Sequence, residues 1–390
     1  MSAPTPQNRL GTYVTSAVTG ETVRVFIPPP LPPVPELHLN GLLEYLDRAN
    51  QGLGRLNGMT KLLPDIRFLL YLYVRKEALV SSQIEGTQSS FADLLLFENE
   101  AKPRVPVEDV EEVSNYVVAM QHGLRRLKGG FPLSLRLIRE IHAILLRGGR
   151  GADKMPGEFR RSQNWLGGTR PGNASFVPPP PERLMECLGE FEKFLHDDKH
   201  KLPVLVEAGL VHVQFESIHP FMDGNGRVGR LLITLLLCAK GALTEPLVYP
   251  SLYLKIHRSQ YYELLQRVRT EGAWEDWLAF FLEGVASTAQ EAADTAERTL
   301  KLFAKDRGKI QTLGRASASA LRVHELMQMN PFIRIRAATK ALKLTVPTVT
   351  HALNNLIKLG IVKEVSGKQR DRLFAYSRYV SMVSENTAPL

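Results

Sequence analysis

The chain has 390 residues, 44% of them hydrophobic and 23% charged, with a net charge of +9; this suits two or three globular domains and excludes a disordered or fibrous class. Only two cysteines occur, Cys187 and Cys238, both in apolar helical patterns, which excludes a disulfide framework or a cysteine zinc site and points to a reducing, cytoplasmic setting. The opening MSAPTPQNRL has no basic-then-apolar leader, and the densest apolar run, LLITLLLCA at 231–239, falls short of the roughly 20 residues that span a bilayer, so no membrane association is expected.

In chain order, IPPPLPPVP at 27–35 reads as an extended polyproline segment laid over a surface or acting as a spacer. Helical periodicity then dominates, over 38–57, 64–82, 107–127, 134–147, 182–197, 203–219, 227–240, 255–271 and 274–303. Pro64, Pro132 and Pro203 sit near helix starts, where a missing N–H costs little. Strand signals are few; the clearest is the glycine-bearing hairpin pattern at 164–181, ended by four prolines. The fold class expected is mainly α, with a small β-hairpin.

Beyond residue 305 the pattern changes. Helices are expected at 317–329, 333–343 and 345–360, followed by a two-stranded wing of IVKEV and LFAYS around the basic turn SGKQRDR. Three helices and a hairpin match a C-terminal winged helix-turn-helix. The positive charge belongs to this region. Residues 301–390 hold 16 Lys/Arg against 5 Asp/Glu, a surplus of 11, whereas the first 300 carry a net −2. That fits attraction to nucleic-acid phosphates, with Lys368, Arg370 and Arg372 on the wing and TVPTVTHALNNL as the recognition helix. A winged helix reused for protein docking or dimerisation is the other reading. The domains expected are 1–106, 107–303 and 304–390.

The densest chemistry lies in HPFMDGNGRVGR, residues 219–230. Gly224 and Gly226 let backbone N–H groups approach an anion, and the loop opens into a helix N-terminus that favours negative charge. Arg227 and Arg230, three apart, share one helical face and suit a di- or triphosphate. Asp223 would be repelled by bare phosphate, a conflict that a bridging Mg²⁺ resolves. His219, at the end of the preceding helix, is then a candidate general base for a hydroxyl attacking phosphorus. A zinc site on His212, Glu216 and His219 is excluded, because the two histidines stand roughly 10 Å apart along a helix.

This stretch resembles the signature of the Fic family, His-x-Phe-x-(Asp/Glu)-Gly-Asn-Gly-Arg-x-x-Arg, at every fixed position. GEFRRSQNWLGG…ASFVPPPP (157–181) is similar to the family's flap hairpin, and AGLVHVQFESIHPF (208–221) to its motif-bearing helix end; together the resemblance covers roughly residues 28 to 300. It implies the AMP-transferring branch rather than the kinase-like Doc branch: a protein adenylyltransferase moving AMP from ATP to a Ser, Thr or Tyr hydroxyl of a target protein, or of itself. By the resemblance, His219 takes the hydroxyl proton and Asp223 holds Mg²⁺ between the α- and β-phosphates. Gly224, Asn225 and Gly226 line the anion hole, with Asn225 near the α-phosphate, and Arg227 and Arg230 hold the β- and γ-phosphates. Phe221 is structural, and the flap around Gly167, Gly168 and Phe176 aligns the target by strand addition.

A second stretch, SSQIEG at 81–86, fits the family's inhibitory pattern (Ser/Thr)-x-x-x-Glu-(Gly/Asn) through Ser81, Glu85 and Gly86. The resemblance implies that Glu85 pairs with Arg230 and denies it to the γ-phosphate; the bland reading is a solvated helix-end glutamate with a glycine cap. Two alternatives stay open beside the transferase: a de-AMPylase in which Glu85 orients a water, and a DNA-binding regulator whose core senses nucleotide. A homodimer also stays open.

Overall fold

The computed structural model describes residues 9–62, 66–98, 105–148, 151–197, 199–367 and 371–389. Pro64, Lys368 and Arg370 lie outside them. A hairpin of β1 (Thr12–Val18) and β2 (Glu21–Ile27) leads into α1 (Leu43–Leu62), α2 (Arg67–Ile84) and α3 (Phe91–Glu98). The core continues through α4 (Val107–Lys128), α5 (Leu135–Leu145), α6 (Pro181–His196), α7 (Val204–Ile218) and α8 (Asn225–Ala239). It ends with α9 (Ser251–Ile256), α10 (Arg258–Glu271) and α11 (Trp274–Gln311). The C-terminal module holds α12 (Ser317–Met329), β3 (Phe332–Arg334), α13 (Ile335–Leu342), α14 (Val346–Lys358), β4 (Lys363–Glu364), β5 (Leu373–Ala375) and α15 (Ser377–Val383).

Helix α7 is buried from Leu205 to Ile218, as its all-round apolar sequence requires. Gly209 makes this possible: a Cβ there would stand 2.7 Å from Leu278 Cδ2, so only glycine lets α11 approach. Trp277 Nε1 then donates to the Gly209 carbonyl at 2.9 Å. Helix α1 crosses the same α11 through small residues, where Gly52 faces Ala286 and Ala289, a seam that suits close helix packing. Between them, α7 and α8 carry the two ends of the signature loop, so the site rests on the most deeply buried helices of the core.

Several boundaries differ from the periodicity. The expected helix at 255–271 is two, α9 and α10, and α11 runs to Gln311, straight through the expected boundary at 303/304. Three elements were not anticipated. Two are α3 and α15; the third is the β1–β2 hairpin, registered Thr12↔Ile27 to Val18↔Glu21, whose signal was the turn at Thr19 (φ 49°) and Gly20 (φ 82°) between two alternating runs. The flap, expected as a hairpin, has one isolated bridge, Leu166↔Phe176, around a 3₁₀ turn at Pro171–Asn173. Prolines 178–181 explain this, since proline donates nothing to a ladder. The polyproline stretch lies over α7 as expected, with the Pro29 carbonyl accepting from Gln214 Nε2 at 2.7 Å. In the C-terminal module, residues expected to begin a helix at 333 form β3 instead, and the sheet has three strands in the order β3–β5–β4.

Candidate functional site

The signature loop is tied down by its own residues. His219 ends α7 in the left-handed region (φ 50°), and Gly224 (φ 79°) turns the chain into α8. Asn225 clasps residue 221 from both sides, its Oδ1 accepting from Phe221 N and its Nδ2 donating to Phe221 O, both at 2.8 Å. The Asn225 side chain is therefore spent inside the loop, and what it offers an anion is the backbone of the helix start. Phe221 is fully buried, as expected, and stacks on His142 with ring centroids 3.7 Å apart at 6°.

His142 is a site residue that sequence reasoning missed. Its Nδ1 accepts from Gly157 N at 2.8 Å, which leaves Nε2–H to donate to the Asp223 carbonyl at 3.0 Å. Burial pushes its pKa down to about 4, so the ring stays neutral and holds the loop by one fixed tautomer. From the flap side, Arg160 Nε donates to the His219 carbonyl at 2.9 Å and Asn164 Nδ2 to the Phe221 carbonyl at 2.9 Å. Arg269 donates to Glu216 O and Ser217 Oγ at the end of α7, while its guanidinium lies 3.8 Å from the Phe176 ring centre. Phe176 is thereby fixed beside the site. Gly167 (φ 68°) and Gly168 (φ 70°) make the flap's turn. All these partners stand tens of residues from the motif, which is why no local pattern announced them.

His219 is pushed down to about 3 by burial, with Arg269 and Arg160 adding to the effect. It is neutral near pH 7, the form a general base needs. Its Nδ1 is buried, 3.9 Å from Glu216 Oε2, which leaves Nε2 as the nitrogen for a substrate proton. Glu216 itself is buried against Gly229, where a Cβ would come within 2.6 Å of its Oε1, and burial raises its pKa to about 7.

Each arginine of the motif already has a carboxylate. Arg230, 1% exposed, donates from Nε to Ser81 Oγ and from Nη2 to Ser81 O, both at 2.9 Å, and from Nη2 to Glu85 Oε1 at 2.7 Å. Burial would raise Glu85, but the charge and hydrogen bond of Arg230 outweigh it and hold the carboxyl below its ordinary value. A Cβ on Gly226 would stand 2.2 Å from Glu85 Oε1, so the motif's second glycine is also what admits Glu85. Gly86 (φ 101°) ends the turn, required by its backbone angle rather than by crowding. Arg227 Nη1 lies 3.0 Å from Glu112 Oε1, with Nη2 3.4 Å from Asp223 Oδ1. Glu112, another residue the sequence did not flag, also accepts from Thr87 Oγ1 at 3.0 Å, which links the 81–87 turn to the anion loop.

Asp223 is the one signature carboxylate, with a side chain 32% exposed, and Gly151 leaves it room: a Cβ there would sit 2.7 Å from its Oδ2. No group of three or more His, Cys, Asp or Glu side chains able to hold a metal occurs among the described residues. His212 is spent on Tyr261 Oη at 2.9 Å. One carboxylate beside the glycine-bearing start of α8 fits Mg²⁺, an ion that keeps waters and takes its other oxygens from phosphates.

A mainly helical core with this loop between two buried helices defines the Fic fold class. The fold matches a Fic family protein from Desulfovibrio desulfuricans G20, with a TM-score of 0.58 at 18% identity over 87% of this chain and 97% of that one. It also matches a Fic domain containing signaling protein from Bacteroides thetaiotaomicron, with a TM-score of 0.52 at 20% identity over 64% of this chain and 97% of the other. The chain carries a Fic/DOC family N-terminal region and a Fic domain: residues 43–125 match the model of the Fic/DOC family N-terminal region and residues 132–237 that of the Fic/DOC family. Among curated relatives it is similar to proteins named Protein adenylyltransferase Fic. It is 32% identical over 198 residues to one from Drosophila grimshawi (50% of this chain, 35% of that protein). It is 37% identical over 174 residues to one from Aedes aegypti (44% and 29%). The chain thus spans about a third of the length of these relatives. No helix among the described residues is long and apolar enough to cross a membrane.

Proposed function

We propose that this chain is a protein adenylyltransferase held off by its own Glu85. The observation that carries the reading is the convergence on one loop of a neutral His219, the start of α8, and two arginines whose present partners are carboxylates. Guanidiniums that accept carboxylates accept phosphates by the same geometry. In the reaction, His219 Nε2 takes the proton of a target Ser, Thr or Tyr hydroxyl as its oxygen attacks the α-phosphorus of ATP. The bond to the β-phosphate oxygen breaks, and pyrophosphate leaves with the electron pair. The helix start at Gly224–Gly226 and the two arginines offset the phosphate charge, and the flap around Phe176 positions the target segment. Mg²⁺ beside Asp223 would supply further charge neutralisation.

Glu85 stands on the Arg230 nitrogen that the γ-phosphate needs, so productive ATP must displace an ion pair whose arginine is buried and whose carboxylate is half-buried. The test is incubation with α-labelled ATP, Mg²⁺ and a lysate. Glu85→Gly should raise label transfer at least tenfold, and adding His219→Ala should remove it while ATP binding persists. No gain in a folded Glu85→Gly protein would sink the brake.

For residues 305–389 the reading is a winged helix that binds nucleic acid. Supporting it, His351, Asn354 and Lys358 of α14 are exposed on one face, the side-chain types that meet bases and phosphates in a groove. Salt-sensitive duplex binding by the full chain, weakened in Asn354→Ala/Lys358→Ala, is expected; no binding at low salt would favour protein docking.

A further inference from the structure

The turn that carries Glu85 has a second side. Gln83, two residues before it, is 2% exposed and points away from the anion loop. Its Nε2 donates to Ser89 O and to Thr387 O, both at 2.9 Å. Its Oε1 accepts from Lys255 Nζ at 2.6 Å, and the same ammonium donates to the Ala388 carbonyl. Lys255, at the end of α9, is 4% exposed and Thr387 is 5% exposed. A segment three hundred residues further along the chain is thus built into the last turn of α2.

That segment is anchored in the C-terminal module. β5 runs into Tyr376, whose hydroxyl donates to Asp306 Oδ2 at 2.8 Å and whose N–H donates to Pro331 O at 2.9 Å. α15 follows, with Tyr379 set edge-on to Phe303 of α11 at 5.0 Å and Glu385 paired with Arg298 at 2.7 Å. About a dozen residues therefore join the module's sheet to Gln83.

We propose that Gln83 and Lys255, together with the Thr387 and Ala388 carbonyls, form a clamp that positions Glu85 on Arg230. The C-terminal module thereby sets how firmly the site is held off. Helix ends fray where nothing fixes their last turn. Glu85 sits beyond the last helical residue, Ile84, so its carboxylate stays on Arg230 only while that turn is formed. The anion loop grips the front of the turn, and a nucleotide would compete for that grip. The clamp grips the back, where nucleotide does not reach. Any ligand of the C-terminal module that shifts α15 draws on the Gln83 contacts and loosens the turn. The clamp rests on the transferase reading for its consequence, though not for its geometry.

The test compares the full-length chain with Lys255→Met, alone and with Glu85→Gly, by α-labelled ATP transfer and by amide exchange at residues 82–88. Losing one or two buried hydrogen bonds corresponds to about tenfold. Lys255→Met should raise transfer about tenfold and speed exchange at 82–88, and it should change nothing once Glu85 is already glycine. A merely structural lysine would alter transfer equally in both backgrounds, and that result overturns the clamp. So does unchanged exchange in a folded variant. If Lys255→Met melts early, Gln83→Met decides by the same measures. If Glu85→Gly itself gives no gain, the brake falls, and amide exchange alone then decides whether the clamp stands.

Discussion

The loop 219–230 and the turn 81–87 meet at Arg230, yet they are held by different kinds of contact. In the loop, Asn225 binds Phe221 four residues away and Gly224 bonds Asp223 next to it. The turn is held by Arg230, Glu112 and Thr387, which lie 25 to 304 residues distant. The loop also has distant supports in His142, Arg160 and Asn164, but its shortest bonds are local, so it leans less on the rest of the chain. A turn closed from afar reports on whatever holds it. Under the proposed function, the difference suits a catalytic loop that must be rigid and a brake that must be releasable.

The hardest way to break this comparison is to open the loop from within. Asn225→Ala leaves the buried Phe221 N–H without a partner, at about 1–3 kcal/mol, and its carbonyl with Asn164 alone. Transfer in a Glu85→Gly background should fall by about a hundredfold or more, with a lower melting temperature. Removing a distant support should do less. His142→Leu keeps the bulk against Phe221 but strands Gly157 N–H and the Asp223 carbonyl, and transfer should fall by about tenfold, read the same way. On the brake, Ser81→Ala takes one hydrogen bond from Arg230 and should raise wild-type transfer only a few-fold.

The smallest expected effects are those of pH, and they differ in sign between two carboxyls on the brake side, Glu85 and Glu77. Arg230 holds the Glu85 carboxyl below its ordinary value. Their contact is therefore present above the usual carboxylate range and is lost only as pH falls through the depressed value. The ratio of Glu85→Gly to wild-type transfer should stay constant from pH 8 to about 5, and His219, pushed down to about 3, should add no acid limb there. Glu77, buried beneath the turn with Tyr116 and Ser251 donating to it, is raised to about 7 by burial. The folded chain then binds more protons than the unfolded one between the ordinary carboxylate value and about 7, so stability falls as pH rises through that window. Glu77→Gln, which still accepts both hydrogen bonds, should flatten that fall in melting temperature. An unchanged slope would place the titrating group elsewhere.

The sequence by itself determined whatever is written in neighbouring residues. The helical core follows from the 3.6-residue period. The loop's glycines, arginines, acid and histidine mark a candidate anion site within twelve positions, and Glu85 and Ser81 meet Arg230 as the resemblance implied. The hairpin at 12–27 carried a signal that went unread, a Thr-Gly turn between alternating runs. Only the tertiary structure decided which distant groups hold these pieces. His142 and Arg160 under the loop, Glu112 on Arg227, and Gln83 and Lys255 behind the brake are single residues with no spacing of their own. Their roles arise because buried polar groups must find partners, and which partners are within reach is settled by how the helices pack.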